Sequence, residues 1–273
     1  MERAWRYALG LVVAVTMTCA CLAAEDGGKL RSLDQLKTEK IAVQRGSVGQ
    51  TLAQELLGDL VKSNLITYEK IVDVIQALKD GKVRAVIMGD IPAQPFIREE
   101  GNGLAIMPEP LYSAPIAIGI KKGNKALVDD IDSVLIPMKE DGTIQGIIDR
   151  YFADPYAAKA KDIDFNVGAP GGKLVMGTDM GFPPFEFHVE DGPVGIDVEI
   201  MALIAQKLGK ELLISEMAFD ALPIALASGK VDLICAGYTA TEERKQNVDF
   251  TVPYMEVKQI ALVRADDCEA SSD

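Results

Sequence analysis

The chain has 273 residues, 48% of them hydrophobic and 25% charged, and a formal net charge of −13. Such a length predicts one large domain or two small ones, and the apolar fraction suffices to bury a sizeable core. A surface this acidic excludes nucleic acid and anionic membrane as partners, because it repels both.

Residues 1–24, MERAWRYALGLVVAVTMTCACLAA, place Arg3 and Arg6 ahead of an apolar run that ends in small residues. This pattern predicts a secretory signal peptide, too short to span a membrane comfortably. Cleavage at Ala23 or Ala24 removes a net +1 and leaves about −14. Cys19 and Cys21 raise a lipid anchor as the alternative, although the residues before each fit that signal poorly. Export implies an oxidising compartment. The two later cysteines, Cys235 in an apolar strand and Cys268 in the tail, are read as a buried thiol and a loose one rather than a disulfide.

Residues 40–44, KIAVQ, read as a strand, RGSVG as a turn, and TLAQELLGDLV carries leucines at helical spacing. At this helix start Ser47 and the amides of Val48 and Gly49 can meet an anion, but the lysine of a phosphate-binding loop is missing. The stretch ALKDGKVRAVIMG at 77–89 then has an echo in ALASGKVDLICAG at 225–237. Each is the end of a helix, a glycine stop and a buried strand, so two similar lobes are expected. Asp90 closes the first of these strands.

Residues 153–172 lose periodicity, collect Pro and Gly, and read as a linker. The strand LVMGTD (174–179) ends on Asp179 and enters GFPPFEF, where Phe182 and Phe185 are candidate walls, and IDVEIMALIAQKLG gives a helix stopped by Gly209. Phe219 follows in MAFDAL. The second echo strand ends at Gly237, and Thr239 with Glu242 is read as a capping box that starts a helix at TEERKQ. A helix start presents unpaired N–H groups to a carboxylate, and Arg244 adds a two-pronged donor of matching geometry. The bland alternative is Arg244 paired with Glu242 or Glu243 on the surface. His188 is the only histidine, and with no cysteine cluster no metal site is expected. Strands alternating with helices predict parallel sheets covered on both faces, with ligands bound beyond the carboxyl ends of the strands.

The segments LVMGTDMGFPPFEF, GIDVEIMALIAQKL and FDALPIALASGKVDLICAGYTATEERKQNVDFTVPY resemble the first half of the polar amino-acid substrate-binding proteins of ABC importers, the family 3 solute-binding class. SLDQLKTEKIAVQRGSVGQ, ALKDGKVRAVIMGD and MKEDGTIQGIIDRYF resemble its second half, so the likeness covers nearly all of residues 30–264 in reversed order. The resemblance implies an α/β, two-lobe periplasmic-binding-protein fold of type II, circularly permuted, with a ligand cleft between lobes. It further implies one lobe from 28–112 plus 257–266 and another from 113–256, including the linker. Hinges are expected at 110–115 and 253–258.

Carried over by position, the resemblance makes Arg244 the clamp on a ligand α-carboxylate, helped by Thr239, Ser47 and the amide of Val48. It puts the ammonium on the Gly237 carbonyl and Asp90, the side chain between Phe182 and Phe219 beside Tyr238, and its tip against Asp179, with Gln44 nearby. Gly89 is an extra residue in the strand before Asp90, and a one-residue bulge is needed to deliver that carboxylate. The implied role is a periplasmic, monomeric receptor, without cofactor, that takes a free polar L-amino acid, expected to be arginine, lysine, histidine or a close polar relative, to an inner-membrane permease. The rivals are a cyclohexadienyl dehydratase-like enzyme recruiting Asp179 or Glu186, and a ligand-sensing domain.

Overall fold

The computed structural model describes residues 28–99, 101 and 103–268; the segment read as a signal peptide, with Cys19 and Cys21, lies outside the described residues. Among the described residues thirteen strands form two main sheets and a small hairpin. The first sheet contains β1 (Ile41–Gln44), β2 (Leu65–Tyr68), β3 (Ala85–Gly89), β4 (Leu104–Ile106), β5 (Tyr112–Ile116) and β13 (Met255–Arg264), in the order β2-β1-β3-β13-β4, with β5 also on β13. The second contains β6 (Gly119–Lys121), β7 (Lys173–Thr178), β10 (Glu211–Glu216), β11 (Leu233–Ile234) and β12 (Val248–Phe250), in the order β10-β7-β11-β6-β12. The hairpin pairs β8 (Phe187–Val189) with β9 (Gly192–Val194).

Both sheets combine parallel and antiparallel pairs. In the first, β1 runs parallel to β2 and β3, whereas β13 is antiparallel to β3, β4 and β5. In the second, β7 is parallel to β10 and β11, while β6 is antiparallel to β11 and β12. Strands covered on both faces read as unbroken apolar runs. That is the pattern of Ile41–Gln44 and Ala85–Gly89, every residue of which is buried.

Each sheet has a core on either side. Ile71, Val74, Ile75 and Leu78 of the helix Ile71–Lys79 cover one face of the first sheet, and Ala53 and Leu57 of the helix Val48–Leu57 cover the other. The second sheet packs against the helices Lys125–Glu140, Thr143–Ala153 and Ile196–Lys207 on one side and Leu222–Ser228 on the other. The segment read as a linker is not featureless: the helix Thr143–Ala153 enters it, and short 3-10 turns follow at Pro155–Ala157 and Ala160–Asp162.

The chain passes between the sheets at residues 117–118 and 251–254, and these crossings are tied together. The Tyr254 amide donates to the Ile116 carbonyl at 3.1 Å, the Ile118 amide donates to the Thr251 hydroxyl, and the Thr251 amide donates to the Ile118 carbonyl. The carboxyl ends of β1, β3, β7 and β11 face one another across the gap these crossings leave.

Candidate functional site

The helix Val48–Leu57 begins three residues earlier than its leucine spacing predicts, because Ser47 is its N-cap: the Ser47 hydroxyl accepts from the Gln50 amide at 3.2 Å and donates to the Gln44 carbonyl at 2.7 Å. Gly49 permits this start to press on β3, since a Cβ there would collide with the Ile87 carbonyl oxygen. Ser47 and Val48 are thereby fixed at the rim of the gap.

Opposite them stands Arg244, half-buried. Its helix is a single turn, Glu242–Lys245, capped by Thr241, whose hydroxyl accepts from the Arg244 amide at 3.2 Å. The capping box expected at Thr239 and Glu242 is therefore displaced by two residues. Thr239 is instead buried in an isolated bridge to Ile116, and its carbonyl accepts from Arg244 Nη1 at 2.9 Å. Nη2 donates across the gap to the Gly46 carbonyl at 3.0 Å. The guanidinium lies 4.1 Å above the Tyr238 ring centre and 5.5 Å from that of Phe219, both attractive faces for a cation. It forms no ion pair among the described residues, and burial holds its pKa below the usual guanidinium value. The surface pairing with Glu242 or Glu243 is not what the structure has; Glu242 bonds Lys245 instead.

Around Arg244 lies a cavity of about 50 Å³, lined from one sheet by Gln44, Ser47, Val48, Gly89 and Gln259 and from the other by Phe182, Phe219, Gly237 and Thr239. Past Gln44, Ile71 and Phe182 it continues to Asp179. There the Gln44 amide donates to the Asp179 carboxylate at 2.6 Å, a second bond from half to half. Burial first, and then the charge of Glu69, raise the Asp179 pKa to about 6, against hydrogen bonds from Gln44 and the Phe219 amide that lower it.

Phe182 stacks on Phe185 at 5.8 Å and reaches the cavity, whereas Phe185 is core, 1% exposed. Gly237 has φ +53, and a Cβ there would press on the Phe182 ring, so glycine lets the aromatic wall lie on the strand end. Tyr238 is buried behind Arg244, stacked on Phe250 at 5.8 Å, and supports the guanidinium rather than lining the cavity.

Asp90 is a correction: it does not line the cavity. A helix, Asp90–Arg98, starts on it, and Oδ1 accepts from the Ile91 amide at 2.9 Å and the Lys258 amide at 3.0 Å, which turns the carboxylate toward the hinge strand. Gly89 is exposed to the cavity in its place. His188 pairs with Glu216 at 2.9 Å on the surface, and Cys235 is a buried thiol, not bonded to Cys268. Among the described residues no group of three His, Cys, Asp or Glu is placed to hold a metal.

Two acids overlooked as structural elements support the site. Asp197, fully buried, accepts from the Gly237 amide at 2.7 Å and from the Tyr254 hydroxyl at 2.6 Å, joining the strand end to a crossing segment. Burial raises its pKa to about 6. Glu186, 1% exposed, has no partner for either carboxylate oxygen, and burial followed by the charges of Asp197 and Asp179 pushes its pKa well above the usual range. It lies behind the wall, out of reach of a substrate in the cavity. Their only sequence signal was a polar residue in an otherwise apolar stretch.

Two mixed α/β lobes with a small-molecule cleft where their strand ends meet define the class of two-lobed binding proteins. Residues 174–269 match the family model described as bacterial extracellular solute-binding proteins, family 3. The chain resembles that family over these residues, about a third of its length. It is 40% identical over 103 residues to the arginine-binding extracellular protein ArtP of Bacillus subtilis (strain 168), covering 37% of this chain and 40% of ArtP. To a probable histidine-binding protein of Campylobacter jejuni it is 42% identical over 89 residues, covering 33% of this chain and 35% of the relative. Among solved structures, an ancestral arginine-binding protein bound to glutamine is 48% identical, with a TM-score of 0.30 and coverage of 31% and 38%. The arginine-bound domain 1 of TmArgBP, as its Phe57Trp mutant, is 41% identical with a TM-score of 0.31, covering 35% of this chain and 81% of that domain. The chain thus spans about 40% or less of the length of the first curated relatives it matches. The relatives are named as binding proteins, not enzymes.

Proposed function

We propose that this chain is an extracytoplasmic receptor that closes on a free polar amino acid with a cationic side chain and hands it to an ABC importer. The observation that carries this reading is Arg244: a guanidinium at the lobe gap, held by backbone carbonyls and ring faces, with no carboxylate to pair with among the described residues. A ligand α-carboxylate would complete it bidentately. Asp179, at the far end of the cavity, supplies the complementary acid for a cationic side chain, with the Gln44 amide as the neutral donor that such a cation would displace. Phe182 and Phe219 would flank the aliphatic stem.

Two of the bonds that join the halves, Gln44 to Asp179 and Arg244 to Gly46, come from groups that would face ligand. Ligand contacts made by both lobes favour the closed arrangement, and closure is what a transporter can distinguish. The arginine- and histidine-binding relatives support a cationic ligand. The order of segments is read as a circular permutation. The match to the family model stands late in the chain, at 174–269, and residues 153–172 would join the family's usual ends.

The test is a thermal-shift screen of the common amino acids. A ligand at 1,000 times its Kd adds about 4 kcal/mol, several degrees at least for a chain of this size. Arginine, lysine or histidine should give the largest shift, and no shift with any amino acid would refute the reading.

The raised Asp179 pKa adds a pH signature. Above about 6 the carboxylate is charged and attracts a cation; as pH falls through 6 it takes up a proton and the attraction is lost. By calorimetry, affinity for arginine or lysine should fall about tenfold between pH 7.5 and 5, and remain flat in Asp179→Asn.

A further inference from the structure

One cavity residue is explained by nothing above. Gln259 sits on β13 in register with Gly89 of β3, is 6% exposed, and lines the cavity with Met88 and Gly89. Its side-chain amide has no hydrogen-bond partner among the described residues, although its backbone carbonyl accepts from the Leu111 amide at 2.8 Å. A side chain buried overall whose amide stays accessible within a cavity is placed to donate to and accept from a ligand atom there.

The charges around it point the same way. Of the residues that line the cavity at Arg244, Arg244 alone is charged, and no carboxylate is among them. Asp90, which follows the lining residue Gly89, is turned onto the Ile91 and Lys258 amides, and Asp179 lies in the adjoining extension against Gln44. The corner of the cavity formed by Gly89 and Gln259 is therefore polar but uncharged.

We propose that Gln259 contacts the ligand and that this corner reads the ligand's α-substituent through a neutral amide, so that cationic carboxylates lacking an α-ammonium bind about as well as the α-amino acids. The inference rests on the receptor reading and sharpens its substrate class: the required features are a carboxylate for Arg244 and a distal cation for Asp179, separated by an apolar stem. A site that surrounds an ammonium with an ionised acid penalises its removal by leaving that acid unpaired. A glutamine amide, which donates and accepts, carries no such penalty and can turn either end to a hydroxyl, an amine or a bridging water.

The test titrates the full mature chain by calorimetry with three pairs: arginine and 5-guanidinopentanoate, lysine and 6-aminohexanoate, histidine and imidazole-4-propionate. The expected result is that the best-bound amino acid and its des-amino partner differ by less than tenfold in the wild type. In Gln259→Glu, which supplies the missing charge with little change of shape, the amino form should gain at least tenfold over its partner. Gln259→Leu, checked by thermal melting for intact fold, should weaken both. A des-amino compound bound more than a hundredfold weaker overturns the inference while leaving the receptor reading in place. A ratio unchanged in Gln259→Glu removes Gln259 from the contact and overturns it as well. Binding of the des-amino acid alone supports it at the expense of the amino-acid reading, and binding of neither member of any pair overturns both.

Discussion

Replacing Arg244 by alanine is expected to weaken amino-acid binding by about 2–5 kcal/mol, which is thirty- to several-thousand-fold, with the fold intact. The loss is large because the ligand carboxylate leaves water only if a charged donor replaces the hydration it gives up. In the closed cleft the remaining donors on this side are the Val48 amide and the Ser47 hydroxyl, and the latter is already committed to the Gln44 carbonyl. The fold should survive because Arg244 sits on a one-turn helix at the rim and spends its two protein bonds on the carbonyls of Thr239 and Gly46. Arg244→Lys should be intermediate, since the charge stays over Tyr238 while the planar fork is lost. Calorimetry of the three proteins with the screen's best ligand measures this, and unchanged affinity in the alanine variant would return Arg244 to a surface role.

Asp197→Ala is expected to have the largest effect on stability, about 3–5 kcal/mol. Two buried donors, the Gly237 amide and the Tyr254 hydroxyl, would be stranded, and a side chain packed without exposure would be deleted. For a protein of this length that is a fall in Tm of roughly 10 °C. Asp197→Asn should cost less, since its amide oxygen can still accept from one donor. The same acid makes the melting temperature pH-dependent. Its folded pKa of about 6 lies above the ordinary 3.8, so its protonated form is favoured in the fold. Its contribution is most favourable below the unfolded pKa and diminishes as pH rises through 6. A melting series from pH 4 to 8 on wild type and Asp197→Asn separates this contribution, and a wild-type Tm within 2 °C of the alanine variant's would discount the network.

Much of the fold was legible because its signals are local. The apolar runs at 41–44, 85–89 and 174–178 could only be covered strands, and the echo of 77–89 in 225–237 revealed two similar units. Arg244, Phe182, Phe219, Ser47 and Val48 were found at strand ends, where the topology places ligands, and all of them meet around one cavity. The misreadings are of a different kind. Thr239 and Thr241 are equally plausible caps on the page, and the bridge of Thr239 to Ile116, 123 positions away, removes it from competition. Asp90 was expected to face ligand, but an amide donor on Lys258, 168 residues on, captures its carboxylate.

Local composition, then, determined where strands and helices form, which of their ends carry polar groups, and the net acidity of the surface, since each depends on neighbouring residues and period. Which acid faces the cleft, which is held in reserve beneath it at Asp197, and that Gln259 opens onto the cavity were decided only when β13 returned from the far end of the chain to pair with β3. Side-chain direction in a strand alternates with register, and register between distant segments is set by how the whole core packs, not by any one of them.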